Sequence, residues 1–407
     1  MNFTFAEKKM SEFTQNSQQR VQQLFELFMG IMRGNKPVEL VRKHQQLIDS
    51  IVPVDVINVV DMLVLHNVPM EELKRGINKT LNLLYKTLNQ HPYTPPPENS
   101  FLDILLQNNR ALDERLRATR PLIKELNQTP GDRMLHDGLK EKLLEIKKFE
   151  ALYVIKENVL FPLLEQHWEN FRCVQVMWSF QDDIRKNIKA AVALLDEKNF
   201  DLKKFNRLAG DIFFNMYAIK FRDERILFPR ILETIPEEAL NKMLTDSAGM
   251  PFPYVTPSQS VAEEVADAFT DAGEVDLHTG ILTPGQIRLI FNHLPVDITY
   301  VDENNKVKYF STPGKRIFPR AKGIIGRDVK NCHPPESVHV VEQIVEAFRN
   351  GEKDQASFWI RIKGEYILIR YFAVRDEDGR FRGTLEVSQE ISELQKITGE
   401  KRLLDWE

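Results

Sequence analysis

Cysteine and histidine side chains cluster at one place in the sequence, where Cys332, His333 and His339 fall within eight positions. A thiolate and two imidazoles could bind haem iron or another transition metal, or respond to oxidation and to pH near neutrality. A structural role competes with this chemistry, because His333 precedes the rigid pair Pro334-Pro335 and Cys332 could pack as a small apolar residue. The cluster therefore marks a candidate sensing site and leaves its ligand open.

The elements around this cluster follow an informative order. Residues 294–311 alternate in a β-rich pattern on both sides of residues 302–305 (DENN), which predicts a hairpin because Asp and Asn tolerate turn geometry. An amphipathic segment follows at 338–348, and then three more strand-like runs. Two strands, short helices and a three-strand meander resemble a PAS sensor domain over residues 285–392. The resemblance implies an α+β domain with an antiparallel sheet and a role in sensing rather than catalysis.

A pocket between the predicted sheet and its helices would suit a small ligand. Alternation along the strand places Phe358 and Ile360 on one face and Trp359 on the other. Trp359 would then lie on the outer face, where a second PAS domain or the helical region could cover it. Arg320 and Arg327 fall on the segment that borders the pocket. The predicted floor and rim residues are Ile298, Tyr300, Phe358, Ile360, Arg316, Cys332 and His333.

Helical patterns dominate the rest of the chain. Pro37, Pro53 and Pro69 recur every 16 residues ahead of acidic residues, which predicts three short helices because proline suits the first helical position. From residue 100 to 244 the apolar spacing is helical throughout, and residues 157–162 (ENVLFP) are echoed by residues 224–229 (ERILFP). We interpret this region as an up-down four-helix bundle with two similar helices.

Residues 156–167, 176–185 and 226–229 resemble the hemerythrin-like (HHE) cation-binding domain. Together with the PAS pattern they resemble a bacterial and archaeal family of unknown function that joins a small helical domain, a hemerythrin-like bundle and a C-terminal PAS domain. The implied fold is multidomain, with an all-α N-terminal domain, a four-helix bundle and an α+β domain. The implied boundaries are 1–92 for the helical domain, 98–245 for the bundle, 246–284 for a linker, 285–395 for the PAS domain and 396–407 for a tail.

A hemerythrin-type di-iron centre needs several histidines together with bridging carboxylates, because each iron takes five or six ligands. The bundle region contains only His136 and His167. Leu152, Tyr153 and Ile219 stand near positions where the resembled family places histidines, and we expect these side chains to be buried. The sequence therefore predicts no di-iron centre.

Residual metal-ligand candidates in the bundle are Glu157, His167, Asp182 and Glu224. The alternative is structural: the carboxylates cap helices, pair with Arg185 or Arg225, or face solvent, and His167 lies at a helix end. In the N-terminal domain, residues 77–80 (INKT) stand where the resembled family usually has Cys-Asp-x-His. Thiol or metal chemistry is not expected there.

Composition narrows the functional classes further. A net charge of -4 over 407 residues implies no general attraction to nucleic acid or membranes. No apolar run approaches the roughly 18 residues of a spanning helix, and the start lacks a signal-peptide core, so we expect a cytoplasmic protein. The two cysteines, Cys173 and Cys332, fall in different predicted domains, so a structural disulfide is not expected.

Three functional hypotheses follow from the sequence. The first is a non-enzymatic sensor or regulatory protein, in which small-ligand or redox sensing by the PAS domain is coupled to a metal-free hemerythrin-like bundle. Such a protein would signal to an unknown protein partner and could form a homodimer through the PAS domain. The second, implied by the resemblance, is an iron-binding hemerythrin-like protein for oxygen or nitric oxide sensing or iron handling. The third is a protein-interaction scaffold without a small ligand.

Overall fold

A computed structural model describes residues 3–247, 249–257, 273–314, 316–362 and 364–400, with side chains from residue 17 onward except at position 37. The chain divides into two compact units, residues 1–263 and 264–407. Parts of the predicted linker (258–272) and tail (401–407) lie outside the described residues. No described helix is both long enough and apolar enough to cross a bilayer.

The N-terminal unit begins with five helices, α1 (Phe3–Met32), α2 (Pro37–Lys43), α3 (Gln45–Ser50), α4 (Pro53–Leu65) and α5 (Met70–Gln90). Helices α2 and α4 start at a proline and α5 starts directly after one, which confirms the predicted helix starts. The prediction of three short helices is otherwise wrong, because α3 is an additional helix and α5 has 21 residues. Asp55 in the first turn of α4 accepts a hydrogen bond from the Val52 backbone N–H at 3.2 Å. The same carboxylate accepts from Arg20 of α1 at 2.8 Å, so it caps α4 and holds it against α1.

Eight more helices complete this unit: α6 (Phe101–Leu126), α7 (Arg133–Lys147), α8 (Glu150–Ile155), α9 (Phe161–His167), α10 (Cys173–Leu195), α11 (Leu202–Arg222), α12 (Phe228–Thr234) and α13 (Glu237–Asp246). Helix α6 packs on α7, α7 on α10, α10 on α11, and α11 on α6, around a buried apolar core. Helix α10 also contacts α4 and α5. Residues 1–92 and 98–245, predicted as separate domains, therefore lie in one compact unit.

The two halves of the sequence repeat share an uncommon backbone feature. Residues Lys156–Leu160 and Asp223–Leu227 are π-helical, and each segment is followed by Phe-Pro. The N–H of Phe161 donates to the carbonyl of Lys156, five residues back, where an α-helix would bond four residues back. A proline ring in an α-helix clashes with the carbonyl four residues before it, and the wider π turn relieves that clash.

The chain after α13 is held against the helices rather than free. The Asn108 side chain of α6 accepts from the backbone N–H groups of Tyr254 and Val255 at 3.1 Å and donates to the Val255 carbonyl at 2.8 Å. The Tyr254 hydroxyl donates to the Glu145 carbonyl of α7 at 2.9 Å, and Arg115 lies 3.7 Å from the centroid of its ring. The first part of the predicted linker thus belongs to the helical unit.

The C-terminal unit contains β1 (Val275–Asp276), β2 (Ile281–Leu282), α14 (Pro284–His293), β3 (Asp297–Asp302), β4 (Val307–Phe310), α15 (Pro335–Arg349), β5 (Gln355–Ile362), β6 (Glu365–Arg375) and β7 (Phe381–Glu390). Short 3-10 turns at Lys322–Ile324 and Val329–Cys332 lie between β4 and α15. Strands β3 to β7 form one antiparallel sheet in the order β4-β3-β7-β6-β5. The predicted antiparallel sheet is confirmed.

The predicted hairpin between β3 and β4 is also confirmed. Asp302 Oδ1 accepts hydrogen bonds from the backbone N–H groups of Asn304 at 2.9 Å and Lys306 at 2.8 Å. Asn305 adopts a φ of 63°, which asparagine tolerates better than most residues. The turn is therefore encoded by its own side chains.

Gly383, at the start of β7, offers a test of the sheet geometry. Its φ is 145°, and an added Cβ would lie 2.1 Å from the Val301 carbonyl oxygen of β3. We expect Gly383→Ala to destabilise the C-terminal unit by roughly 3 kcal/mol, from backbone strain plus overpacking. The control is Gly379→Ala. Gly379 has a φ of 77°, and an added Cβ would have no atom within 4 Å, so this variant should lose only about 1–2 kcal/mol of stability. Calorimetric unfolding of the full chain measures both, and equal losses would contradict the close approach.

Candidate functional site

A buried ion pair lies between the two π-helical segments of the helical unit. Lys156 Nζ is 2.7 Å from Asp223 Oδ2, and both side chains are almost completely buried. Burial raises the pKa of Asp223, and the charge of Lys156 opposes that rise. Two charges removed from water in this way depend on their mutual contact to remain ionised.

A second charged cluster joins the first π-helical segment to α10. Arg185 donates to Glu157 Oε1 at 2.8 Å and to Asp182 Oδ1 at 2.7 Å. Arg185 and Lys156 each lie 5.5 Å from the centroid of the Tyr153 ring, within cation–π range. Burial raises the pKa of Glu157 to about 7, although Arg185 acts to lower it. The structural alternative from the sequence, pairing with Arg185, is confirmed for Glu157 and Asp182.

Glu224 lies in a third cluster, between α6 and α11. It accepts a hydrogen bond from Asn109 Nδ2 at 3.2 Å and lies 3.8 Å from Lys220 Nζ. Lys220 also donates to Asp113 Oδ2 at 2.5 Å. The guanidinium of Arg225 lies over a tyrosine ring, so pairing of Glu224 with Lys220 replaces the alternative in which Arg225 was its partner.

The residues at this centre do not fit a hemerythrin-type di-iron site. Lys156 and Arg185 place positive charges among the carboxylates that would have to bind iron. His167 is the exposed last residue of α9, as predicted, and His136 bonds to two backbone carbonyls. Within the described ranges, no three His, Cys, Asp or Glu side chains form a group that could hold a metal. Three side chains stand near the positions where the resembled family places histidines, and all three are buried, as predicted: Leu152, Tyr153 and Ile219.

In the C-terminal unit, polar side chains line the covered face of the sheet. One row of paired residues crosses four strands and therefore lies on a single face: Asp297, Ser388, Ile369 and Phe358. Val301 lies on the same face and packs with Ile324 and Cys332 from the 3-10 turns. This inner face is thus the one that the turns cover, and its β3 and β7 positions include a buried aspartate, threonines and a serine.

The predicted pocket floor is wrong for β3. Ile298 and Tyr300 alternate with the inner-face residues Asp297 and Thr299, so they lie on the opposite face together with Trp359. Side chains alternate strictly between the faces of a strand, so an error of one residue moves the whole set to the other side. The floor of any site on the inner face is therefore formed by Asp297 and Thr299 at this strand.

On β5 the predicted face is right, but the predicted burial is wrong. Phe358 and Ile360 do share the inner face, but β5 is the edge strand, and these side chains are 37% and 38% exposed. They border the inner face and do not form a buried floor. Trp359 lies on the outer face, as predicted, and is 67% exposed.

Arg316 lies over the inner face and is held by internal hydrogen bonds. Its Nε donates to the Phe318 carbonyl at 2.8 Å, and Nη2 donates to Thr299 Oγ1 at 3.1 Å. Asp297 Oδ2 lies 3.8 Å from Arg316 Nε and accepts from the Ile317 N–H at 2.7 Å. Burial lowers the pKa of Arg316 and raises the pKa of Asp297. The predicted rim residue Arg316 thus builds the site, with its donors directed at the protein.

Arg320 and His333 are the two polar groups on this side of the sheet that could bind a ligand. Burial lowers the pKa of His333 to about 4, and the charges of Arg320 and Arg327 act in the same direction, so the imidazole is neutral at pH 7. The Nε of Arg320 is buried and has no hydrogen-bond partner within the described part of the chain. Burial raises the pKa of the nearby Tyr371. A neutral imidazole, a guanidinium and a phenol therefore converge on one side of the sheet.

The sequence cluster that suggested metal or redox chemistry is not brought together. Cys332 packs against the apolar group formed by Val301, Val307 and Ile324, and its Sγ lies 3.7 Å from the Asp328 carbonyl. His339 is exposed. Of the three clustered residues, His333 alone contributes a group to the polar site, and Cys332 fits the structural role.

Three inner-face residues were not among the predicted candidates: Asp297, Thr299 and Glu386. Their polar character hid them, because pattern reasoning assigns apolar residues to a covered face. One sequence feature indicates polar residues on this face: the segment that contains Arg316, Arg320 and Arg327 is rich in arginine. Arginines beside a covered face require polar partners there.

Residues 287–392 match the family described as a PAS domain. Among solved structures, the chain is similar to a C-terminal domain from Streptococcus mutans, at 32% identity over 31% of this chain and 98% of that one, with a TM-score of 0.30. It is also similar to the PAS domain of a protein from Colwellia psychrerythraea, at 17% identity over 27% and 97% of the two chains, with a TM-score of 0.22. A sensory box sensor histidine kinase from Vibrio cholerae matches at 12% identity over 26% and 90%, with a TM-score of 0.21. A search of curated proteins found no match.

The family match, together with the antiparallel five-stranded sheet, shows that the C-terminal unit contains a PAS domain. A PAS domain indicates a sensory or regulatory role for the chain. The residues of its inner face, described above, are the candidate site for that role.

Mutation of the buried ion pair tests the centre of the helical unit. We expect Lys156→Met to destabilise the protein by about 3–5 kcal/mol, because Asp223 would remain buried after losing its ion pair with Lys156. The double change Lys156→Met with Asp223→Leu should recover part of that loss, since both members of the ion pair are removed and Arg222 keeps its buried charge. Lys140→Met breaks the exposed Lys140–Asp196 pair and should cost less than about 1 kcal/mol. Urea unfolding measures all three, and a double variant as unstable as Lys156→Met would contradict the account.

The lowered pKa of His333 predicts a pH dependence of stability. The unfolded imidazole titrates near 6.5 and the folded one near 4, so the unfolded state binds more protons between these values. Stability from the neutral imidazole is complete above pH 6.5 and falls by roughly 2–4 kcal/mol as pH drops to 4. His333→Gln should flatten this decline, and the change His339→Gln at an exposed position should not. Calorimetry of the C-terminal unit's transition between pH 4 and 7 checks the difference, and parallel curves for all three proteins would contradict it.

Proposed function

We propose that the chain is a non-enzymatic sensor or regulatory protein whose PAS domain binds a small ligand on the inner face of its sheet. The observation that carries the proposal is the buried polar group around Arg320 and His333. A guanidinium N–H without a protein acceptor is costly when buried. A ligand that offers a carboxylate or carbonyl oxygen would supply that acceptor.

The chemistry of the inner face narrows the ligand class. Arg320 can only donate hydrogen bonds, while a neutral His333 can donate with one ring nitrogen and accept with the other. The charges of Arg316 and Arg320 lie near those of Asp297 and Glu386, and Nε of Arg320 still has no protein acceptor among the described residues. We therefore propose a small polar ligand with an anionic or carbonyl oxygen, and not an apolar one.

We further propose that the helical unit is a hemerythrin-like bundle that works without its metal centre. The cyclic packing of the helical segments and the paired π-helical turns support the likeness, and the internal cations Lys156 and Arg185 argue against iron. In this proposal the helical unit transmits the PAS response to a protein partner. The cytoplasmic location, the absence of nucleic acid partners and homodimer formation through the PAS domain stay predictions.

Mass spectrometry of small molecules released from the purified full chain tests the sensor proposal. We expect a stoichiometric ligand from the wild type and at least a tenfold weaker retention by Arg320→Leu, because one hydrogen bond to a charged group is lost. The control is Arg380→Leu, which changes an exposed arginine in the turn before β7 and should retain the ligand.

Absence of any released molecule from the wild type would favour the scaffold hypothesis. Iron analysis of the same preparation, grown with added iron, tests the bundle proposal. A pair of irons bound per chain would contradict it and support the iron-handling hypothesis.

A further inference from the structure

A small cavity lies between α4, α5, α10 and the second π-helical segment, in the helical unit. Its volume is about 40 Å³. Carbon-rich side chains form most of its wall: Val56, Val60, Ile77, Val176, Met177 and Ile226. Among the described residues that line it, Arg222 is the one charged group. The cavity therefore combines an apolar interior with a single cation.

Arg222 is buried with most of its hydrogen-bonding capacity unused. The side chain is 6% exposed, its Nη2 donates to Asn78 Oδ1, and its Cζ lies 4.1 Å from the centroid of the Phe180 ring. Both Nε and Nη1 are buried and have no hydrogen-bond partner within the described ranges. A guanidinium has five N–H donors, and buried donors are normally paired.

Arg222 shares its interacting carboxylate with Lys156. The charge of the neighbouring Asp223 acts on Arg222, and Oδ2 of that carboxylate pairs with Lys156 at 2.7 Å. Burial lowers the pKa of Arg222 to about 9, so it remains protonated at neutral pH. A bound carboxylate would therefore give the unpartnered donors of Arg222 an acceptor and a counter-charge.

Arg222 also lines a second hollow. With Asn78 and Leu81 it contributes to a groove of about 140 Å³. The rings of Tyr85 and Phe221, which stack with centroids 4.8 Å apart, form part of this groove. The groove and the cavity thus share Leu81 and Arg222 in their linings.

We propose that this cavity binds a short aliphatic monocarboxylate, whose carboxylate accepts a hydrogen bond from a free donor of Arg222 and whose alkyl group occupies the apolar interior. The volume suits about three groups of the size of water, which corresponds to a chain of two to four carbons including the carboxylate. The site is separate from the PAS site and does not depend on it.

Calorimetric titration of the full chain with sodium acetate, propionate, butyrate and hexanoate at constant ionic strength tests the ligand class. The expected result is saturable binding of one propionate per chain and at least tenfold weaker binding of hexanoate. Sodium chloride and sodium nitrate should not compete. Equal binding of chloride or nitrate, or no saturable binding of any carboxylate in the series, would overturn the proposal.

Variants of the cavity separate binding from folding. Arg222→Met should abolish the propionate signal and, without ligand, unfold at a midpoint no lower than that of the wild type, because an unpaired buried charge is removed. Arg225→Met, three residues further on and outside the cavity lining, should bind propionate as the wild type does. Arg222→Met that still binds propionate normally would overturn the proposal.

A cavity-filling change gives an answer even if Arg222→Met fails to fold. Val60→Ile keeps Arg222 and adds one methyl group to the cavity wall. It should weaken butyrate binding at least tenfold and acetate binding by less than threefold. Equal effects on both ligands would overturn the placement of the alkyl group. Arg320→Leu in the PAS domain should bind propionate as the wild type does, which keeps this test distinct from that of the sensor proposal.

Discussion

The contact between Lys156 and Asp223 is the constraint around which the helical unit is built. Neither side chain reaches water, and removal of an ion from water costs several kcal/mol that only a close partner offsets. The two π-helical segments must therefore remain in register with each other. Next to this pair, Glu157 lies beside Arg185 of α10, and Glu224 lies beside Lys220, four residues earlier in its own helical segment. Cations of the protein thus occupy the place where a metal centre would need open carboxylates.

Arg222 is a buried cation that this arrangement leaves without a full set of hydrogen-bond partners. It precedes Asp223 in the chain and lies in the same buried region, yet Oδ2 of that carboxylate pairs with Lys156, and Nε and Nη1 of Arg222 have no hydrogen-bond partner among the described residues. The inner face of the PAS sheet presents a similar situation, since Arg316 is satisfied by internal acceptors while Arg320 keeps a buried unpaired N–H. In each unit, the candidate site is the place where a buried arginine has an N–H group without a hydrogen-bond partner among the described residues.

Features encoded by neighbouring residues could be predicted from the sequence, and features set by distant partners could not. The β3–β4 turn depends on Asp302 and Asn305 alone, and the helix starts depend on prolines and first-turn acids. The face of β3 was assigned wrongly because its apolar residues, Ile298 and Tyr300, suggested the inside, whereas buried Asp297 and Thr299 find their partners in Arg316 and the backbone. The pairing of Lys156 with a residue 67 positions away had one sequence signal, the opposite charges at matching places in the repeat.

The repeat has a consequence for how its two segments can meet. Lys156 and Asp223 occupy equivalent positions of the two π-helical segments, directly before Glu157 and Glu224, and they touch each other. Equivalent residues meet only where an approximate twofold axis passes between the two segments. On such an axis identical halves would bring two lysines or two aspartates together in the interior, which charge repulsion forbids. The opposite charges of Lys156 and Asp223 therefore make the two segments complementary at their point of contact, which two identical segments would not be.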